Sequence, residues 1–246
     1  LRWIARLGSG LDIIDLDAAR ERAVEVLSAP EGNAQAVAEH AMGMLLGLAN
    51  KLISADRNVR EGGWMREAHR GWEIAGKTIG IIGHGHNGSA FGRLWKGWNV
   101  KVLAYDKYLS NYAPQGVEET TLEKLKAEAD ILSLHIPLTE ETREMINAEF
   151  IEACKPGFIL INTSRGKNVN LSDVCRALQS GQIGGACLDV FPTEPPGHSQ
   201  GDAQRAFEAI CGMDNVVLSP HIAGWTVESK RKISEVLLEK IGALRG

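Results

Sequence analysis

The chain has 246 residues, enough for one large domain or two small ones. Its 27 Lys and Arg against 31 Asp and Glu leave a net charge of −4, which argues against a nucleic-acid-coating role, because such binding is carried by clustered cations. The balance of 44% hydrophobic and 24% charged residues is that of a globular protein rather than a disordered one, and the longest apolar run, 41–49 (AMGMLLGLA), is far short of the ~20 residues that span a bilayer.

At the start of the chain, Trp3–Leu7 reads as a strand, Asp17–Arg22 as a short helix and Val24–Leu27 as a second strand. Asn33 then stands where it could cap a long helix running to Arg60. Its apolar stripe is Val37, Ala41, Met44, Leu45, Leu48, Leu52 and Val59, with helical steps of three and four. A single helix from Ala34 to Arg60 would be roughly 40 Å long, a length suited to bridging domains or subunits. The alternative is two helices with a break near Asn50. Gly62, Gly63 and Gly71 mark a loop.

From residue 77 the pattern changes. Short apolar runs recur at Thr78–Ile82, Val100–Tyr105, Ile131–His135, Phe158–Ile161, Gly185–Leu188 and Val216–Leu218. They are continuous rather than alternating, as in parallel strands buried on both faces. Helical stretches lie between them at His86–Lys96, Leu122–Ala127, Thr139–Ala153 and Leu171–Gln179. Thr139 is the expected cap of the third, and Gly181 the expected terminator of the fourth. Alternation of this kind predicts a doubly wound α/β sheet. Cys154, Cys175, Cys187 and Cys211 form no CxxC pair and stand at no zinc-finger spacing to a histidine. Reduced thiols and a cytoplasmic location are therefore expected. No signal peptide is visible at Leu1.

The sharpest motif is Gly83-His84-Gly85-His86-Asn87-Gly88. It follows the strand TIGII and opens a helical segment, the setting in which GxGxxG binds a dinucleotide. Gly83 allows the tight turn, Gly85 lets a pyrophosphate approach the backbone, and Gly88 lets helix and strand pack closely. The amides at the helix start face the anion. Asp106 ends the next strand, 18 residues after Gly88. A carboxylate there accepts from ribose hydroxyls and repels a 2′-phosphate, which favours NAD over NADP. His84 and His86, inside the loop, are expected to flank the cofactor. No third ligand is in view, so no metal is expected. His40 reads as structural, and His135 as approaching the nicotinamide side or packing there.

Three further polar groups follow the later strands, where open α/β sheets place ligands. Arg165 stands in INTSRG, Glu194 in LDVFPTEPP and His221 in LSPHIAGWT. Arg binds a carboxylate or carbonyl oxygen through its planar fork. His moves a proton at neutral pH, and a Glu beside it stabilises the imidazolium. Together they suit reduction of a carbonyl next to a carboxylate.

Seven ordered segments carry a resemblance over nearly the whole chain: RLGSGLDIIDL (6–16), NAQAVAEHAMG (33–43), GKTIGIIGHGHNG (76–88), HIPLTEETREMIN (135–147), KPGFILINTSRG (155–166), GACLDVFPTEPP (185–196) and NVVLSPHIAGWT (215–226). The sequence resembles the D-isomer-specific 2-hydroxyacid dehydrogenases, which include phosphoglycerate, glyoxylate/hydroxypyruvate and D-lactate dehydrogenases. The resemblance implies that Arg165 binds the substrate's carboxylate and carbonyl, that His221 is the general acid/base, and that Glu194 orients His221 and holds it protonated during reduction. It implies a substrate-carboxylate loop at Gly8, Ser9 and Gly10 acting through backbone amides. For NAD it implies contacts from Asp189 to the carboxamide, and a cofactor set of Gly83, Gly85, His86, Asn87, Gly88, Asp106, His135, Pro137, Thr163 and Asp189. His86 and Asn87 replace the family's usual basic and aliphatic pair, which implies weaker cofactor binding. Formate dehydrogenases share the architecture with Gln where this chain has Glu194, so Glu194 with His221 favours a hydroxy acid.

The implied organisation is a remnant of the substrate-binding domain at 1–33, an NAD-binding Rossmann domain at 34–225, and a C-terminal helix at 226–246 returning toward the substrate domain. The implied partners are a small 2-hydroxy or 2-keto acid and a second copy of the chain, contacted through the helix 34–60, with no nucleic acid and no membrane. The family's chain begins well before this Leu1, so the resemblance implies an N-terminally truncated sequence. Two rival readings stand beside the enzyme: an NAD(H)-sensing, corepressor-like binding protein, and an inactive NAD-binding fragment.

Overall fold

The computed structural model describes residues 1–198 and 200–244. The chain opens with β1 (Trp3–Ala5), α1 (Leu16–Glu21) and β2 (Glu25–Leu27). The two strands pair in parallel, with Trp3 opposite Glu25. Asp15 caps α1 by accepting from the Ala18 amide at 2.9 Å.

The next helix, α2 (Pro30–Ala49), begins earlier than expected. Asn33 is not its cap but lies buried inside it. Pro30 starts the helix instead, where its missing N–H would have had no partner and its fixed φ already suits the helix. The helix breaks at Asn50, with Lys51 in the left-handed region at φ 51, and α3 (Leu52–Arg60) follows. The break has a cause outside the helix. The amide of Trp72 donates to the Ala49 carbonyl at 3.0 Å and the Lys51 ammonium to the Ala68 carbonyl at 3.0 Å, so the returning chain takes the acceptor that a continued helix would have used. Gly71 makes this approach possible, since a Cβ there would lie 2.4 Å from the Ala49 oxygen.

The remainder alternates strand and helix: β3 (Thr78–Ile82), α4 (His86–Leu94), β4 (Lys101–Tyr105), β5 (Glu118–Glu119), α5 (Leu122–Glu128), β6 (Ile131–Leu134), α6 (Ala148–Glu152), β7 (Phe158–Asn162), α7 (Leu171–Ser180), β8 (Ile183–Leu188), α8 (Gly201–Cys211), β9 (Val216–Leu218) and α9 (Val227–Ala243). Seven strands form one parallel sheet in the order β5-β4-β3-β6-β7-β8-β9. Ile79, Ile81, Ile159, Ile161 and Cys187 face a core shared with α2 and α4. Leu132, Leu134, Leu160, Ala186 and Leu188 face a second core shared with α5, α6, α7 and α8. Both faces are covered, which is why the strands read as unbroken apolar runs. The winding reverses between β3 and β6, and ligands of such sheets bind at that crevice.

The predicted helix at Thr139–Ala153 shrinks to α6. Residues 144–146 are held instead as a turn and a single β-bridge residue beside residues 167–170: Glu144 N donates to Lys167 O, Ile146 N to Asn168 O, and Asn170 N to Ile146 O. Those bonds, with Glu144 at φ 48, compete with a helical ladder and win. Asn147, not Thr139, caps what remains. Gly181 ends α7 at φ 80, as expected. Two elements have no counterpart in the sequence reading. α8 buries only Ala206 and Ile210, too thin a stripe to see, and β5 is two exposed glutamates.

Helix α9 starts at a capping box between Thr226 and Ser229. It packs back on α2, where Ile233 and Leu237 join Ala29 in a small core with Ala5 and Leu27. Lys240 donates to the Ser28 carbonyl at 2.8 Å and pairs with Glu31 at 2.7 Å. The last two residues of the predicted C-terminal helix lie outside the described residues. No helix among the described residues is long and apolar enough to cross a membrane. The α2–α9 crossing is close: a Cβ on Gly32 would sit 2.6 Å from the Ile233 nitrogen. Gly32→Leu is therefore expected to lower stability by about 1–3 kcal/mol, read from urea unfolding; an unchanged midpoint would show that the crossing can open at no cost.

Candidate active site

A cleft of about 1660 Å³ runs along the carboxyl ends of the strands. It is walled by the loop after β1, the start of α2, the loops after β6, β7 and β8, and the segment after β9. Gly8, Ser9, Gly10, His86, Asn87, His135, Pro137, Thr163, Arg165, Asp189, Glu194 and His221 all line it. Gly83, Gly85, Gly88 and Asp106 are outside its lining and form a second cluster at the ends of β3 and β4.

That second cluster has the form a pyrophosphate requires. Gly83 turns at φ 87, and a Cβ on it would lie 2.5 Å from the His135 carbonyl across the crevice. A Cβ on Gly88 would lie 1.9 Å from the Gly83 oxygen. Gly85 is the opposite case, with nothing within 4 Å, so its surface is open to a ligand. It caps α4 without a side-chain hydrogen bond, so the first-turn amides point outward unpaired. Asp106 braces the cluster. Its Oδ2 accepts from the His84 amide at 2.8 Å, and its Oδ1 from the Tyr108 and Leu109 amides at 2.9 and 3.1 Å. Of a carboxylate's roughly four lone-pair sites, one is left for a further donor.

His84 does not flank this site. It is 4% exposed, and its ring lies 4.9 Å from that of Tyr112. Burial lowers its pKa, more than the neighbouring Asp106 and Glu119 raise it. His135 packs 5.1 Å from Phe91 and shares a 2.9 Å hydrogen bond between its Nε2 and Ser133 Oγ. Burial, helped by the His84 ring, pushes its pKa down to about 3, so it is a neutral ring in the cleft wall.

Arg165, Glu194 and His221 meet in the cleft as the sequence suggests. His221 Nδ1 lies 2.7 Å from Glu194 Oε2. A carboxylate partner fixes that nitrogen as the N–H and leaves Nε2 free. Glu194 is itself held, because its Oε1 accepts from the Phe191 amide at 3.0 Å. Arg165 donates through Nε to Asp12 at 2.8 Å and through Nη1 to the Ser164 carbonyl at 2.7 Å. Across the cleft, the amides of Ser9 and Gly10 donate to no acceptor among the described residues. Ser9 Oγ accepts from Asn33 at 3.4 Å.

Asp189 holds the segment that carries His221. It is fully buried. Its Oδ1 accepts from Ser219 Oγ at 2.6 Å and the Ile222 amide at 2.9 Å, and its Oδ2 from the Ala223 amide at 2.9 Å. Its backbone carbonyl accepts from the His221 amide at 2.7 Å. His40, from α2, lies 2.9 Å from Ser219 Oγ and completes the network. Among these, His40 and Ser219 are the partners that sequence reading missed; the only signal for them was polarity on an otherwise apolar helix face and strand end. Burial by itself would raise the Asp189 pKa, but the His40 ring 3.6 Å away and the hydrogen bonds from Ser219, Ala223 and Ile222 outweigh it and hold the carboxylate below its usual range. A depressed folded-state pKa gives stability that is full above the unfolded value of about 3.9 and is lost as pH falls through the folded one. Asp189→Asn should therefore lose stability less steeply than wild type in urea titrations taken from near neutrality down through the acid range; parallel slopes would show that the carboxylate is not held by these bonds.

The family model for the D-isomer specific 2-hydroxyacid dehydrogenase NAD binding domain matches residues 42–223. The chain is 39% identical over 241 residues to a hydroxypyruvate reductase of Thermotoga maritima, covering 98% of this chain and 76% of that one. It is 36% identical over 243 residues to a D-3-phosphoglycerate dehydrogenase of Archaeoglobus fulgidus, of which it spans 45%. Its structure is similar to that of a D-lactate dehydrogenase from Aquifex aeolicus solved with NAD and lactic acid, with a TM-score of 0.89 and 32% identity, covering 99% of this chain and 76% of that one. The open Gly85 surface and the unpaired first turn of α4 fit that nucleotide. Two buried polar atoms facing the cleft wall, Asn87 Oδ1 and Thr163 Oγ1, also have no partner among the described residues. The chain thus belongs to the D-isomer specific 2-hydroxyacid dehydrogenases, NAD-dependent oxidoreductases, and NAD is its cofactor.

Proposed function

We propose that this chain interconverts a 2-keto acid and the corresponding D-2-hydroxy acid. The observation that carries the reading is the convergence of Arg165, Glu194 and His221 on one cleft, with Nε2 the free nitrogen of His221. NAD, when bound, supplies the redox half of the reaction. The substrate carboxylate sits between the remaining Arg165 N–H groups and the unpaired amides of Ser9 and Gly10. His221 Nε2 gives a proton to the C2 oxygen in reduction and takes it back in oxidation, and Glu194 stabilises the imidazolium between the two. Asp189 keeps one Oδ2 lone-pair site, enough for a carboxamide N–H. His86, Asn87, Gly88 and Thr163 line the path of the nucleotide, with His135 and Pro137 as its apolar wall. Asp106 offers its one open site to a ribose hydroxyl and disfavours a 2′-phosphate.

The same reading assigns 1–33 and 226–246 to the substrate side and 34–225 to the nucleotide side, in a cytoplasmic protein. It also includes a homodimer through part of the segment 34–60. α2 is mostly buried within the chain, whereas α3 has no buried residue. Leu52, Ile53 and Val59 on α3, with Trp64 and Met65 beyond it, are exposed, so α3 is the half that supports the contact. Ile53→Glu is expected to convert a dimer to a monomer in sedimentation equilibrium; a wild type that is already monomeric would remove this part of the reading.

The chemistry is tested at His221. His221→Asn should lower turnover of 2-keto acids by about 10²–10⁴-fold, the usual worth of a general acid, with NADH affinity unchanged. An undiminished rate would overturn the assignment. For wild type, because reduction takes up a proton and oxidation releases one, the reduction rate should fall and the oxidation rate rise as pH rises. Two flat profiles under chemistry-limited conditions would contradict it.

A further inference from the structure

We infer that Asp12 is the positioning residue for Arg165, setting the plane in which its guanidinium meets a substrate carboxylate. The inference rests on the reading above that Arg165 binds that carboxylate. Asp12 lies between β1 and α1, and Arg165 follows β7, so the pair joins the two walls of the cleft across 153 residues of chain.

The geometry is specific. Asp12 Oδ2 accepts from Arg165 Nε at 2.8 Å and the Ser164 carbonyl accepts from Nη1 at 2.7 Å. Two bonds from different nitrogens of a planar group fix both its tilt and its rotation. They leave one N–H on Nη1 and both on Nη2, the fork that matches a carboxylate. Nη2 lies directly over Gly10, where a Cβ would be 1.7 Å from it. The same Cβ would be 2.7 Å from Asp12 Oδ2. Gly10 thus admits both partners, beside the unpaired amides of Ser9 and Gly10.

A purely local role for Asp12 is poorly supported. Asp15, not Asp12, caps α1. The Arg165 bond is the one hydrogen bond made by the Asp12 carboxylate among the described residues. The charge itself also works against a direct substrate contact, since a carboxylate repels an anionic ligand unless a cation stands between them. Arg165 stands there. The bond acceptor, rather than the negative charge, is what positioning needs, and Asn supplies the same acceptor.

The test compares wild type, Asp12→Ala and Asp12→Asn as full chains with NADH present. Oxamate, a non-reactive analogue of a 2-keto acid, is titrated calorimetrically, and KM and kcat are measured with glyoxylate. Asp12→Ala should weaken oxamate binding and raise KM by about tenfold or more, because a small misplacement of a binding group is costly, with NADH affinity unchanged. Asp12→Asn should stay within about threefold of wild type, since it restores the acceptor. In ¹⁵N spectra the Arg165 Nε–H, identified by its loss in Arg165→Lys, should be protected from exchange in wild type and unprotected in Asp12→Ala. Equal oxamate affinity in wild type and Asp12→Ala would overturn the role of Asp12 while leaving that of Arg165 intact. Failure of wild type itself to bind oxamate would overturn the carboxylate reading and the inference with it. A matching loss in both Asp12→Ala and Asp12→Asn would assign the effect to charge and overturn positioning.

Discussion

One buried carboxylate orders the reactive end of this molecule. Asp189 sits at the carboxyl end of β8 with no exposure, and an unpaired charge in such a place would be strongly destabilising. It is paired instead with donors drawn almost entirely from one short segment, Ser219 to Ala223. That segment carries His221 in a left-handed conformation at φ 56, which a non-glycine residue adopts only when its surroundings hold it. The bond from the His221 amide to the Asp189 carbonyl supplies the hold. With the backbone pinned, the imidazole reaches Glu194, and a residue exposed to solvent acquires a fixed tautomer.

The rest of the site depends on how two structural layers meet. The seven-stranded sheet brings Arg165, Glu194 and His221 to one edge because they follow the neighbouring strands β7, β8 and β9. The small β1–β2 unit supplies the opposite wall, with Gly8, Ser9, Gly10 and Asp12. α2 and α9 keep that unit in place through the Ala29, Ile233 and Leu237 core and the Lys240 contacts. α2 also reaches the reactive segment directly through His40 and Ser219. One helix therefore touches the Gly8–Gly10 loop through Asn33 and the His221 segment through His40, two turns apart.

What the sequence shows and what it hides divide along physical lines. Strands buried on both faces leave unbroken apolar runs, so six of the seven sheet strands are legible from residue 77 onward. β5, two glutamates at the sheet edge, has no apolar signal. Helices with one clear apolar stripe, such as α7, are legible too. α8, with two buried residues, is not. The errors at Asn33 and at Thr139–Ala153 have different causes: Pro30, a local start signal, begins α2 ahead of Asn33, whereas bonds from residues 167–170 displace a helical ladder in the second stretch. Arg165, Glu194 and His221 are visible because each follows a legible strand. Asp12, His40 and Ser219 are not, because their partners lie 153, 179 and 30 residues away. His84 misleads for a similar reason: its place in the glycine loop suggests the cofactor, but its ring turns into the core beside Tyr112.

Arg165, Glu194 and His221, as folded here, are proposed to perform carbonyl reduction with NADH. The most direct measurement mixes the purified chain with NADH and follows the loss of its absorbance on adding glyoxylate, hydroxypyruvate, pyruvate or a larger 2-keto acid, with the D- and L-hydroxy acids resolved in the product. NADH oxidation with at least one of these and a D-configured product are expected. NADH binding without turnover on any of them, or an L-configured product, would contradict that role.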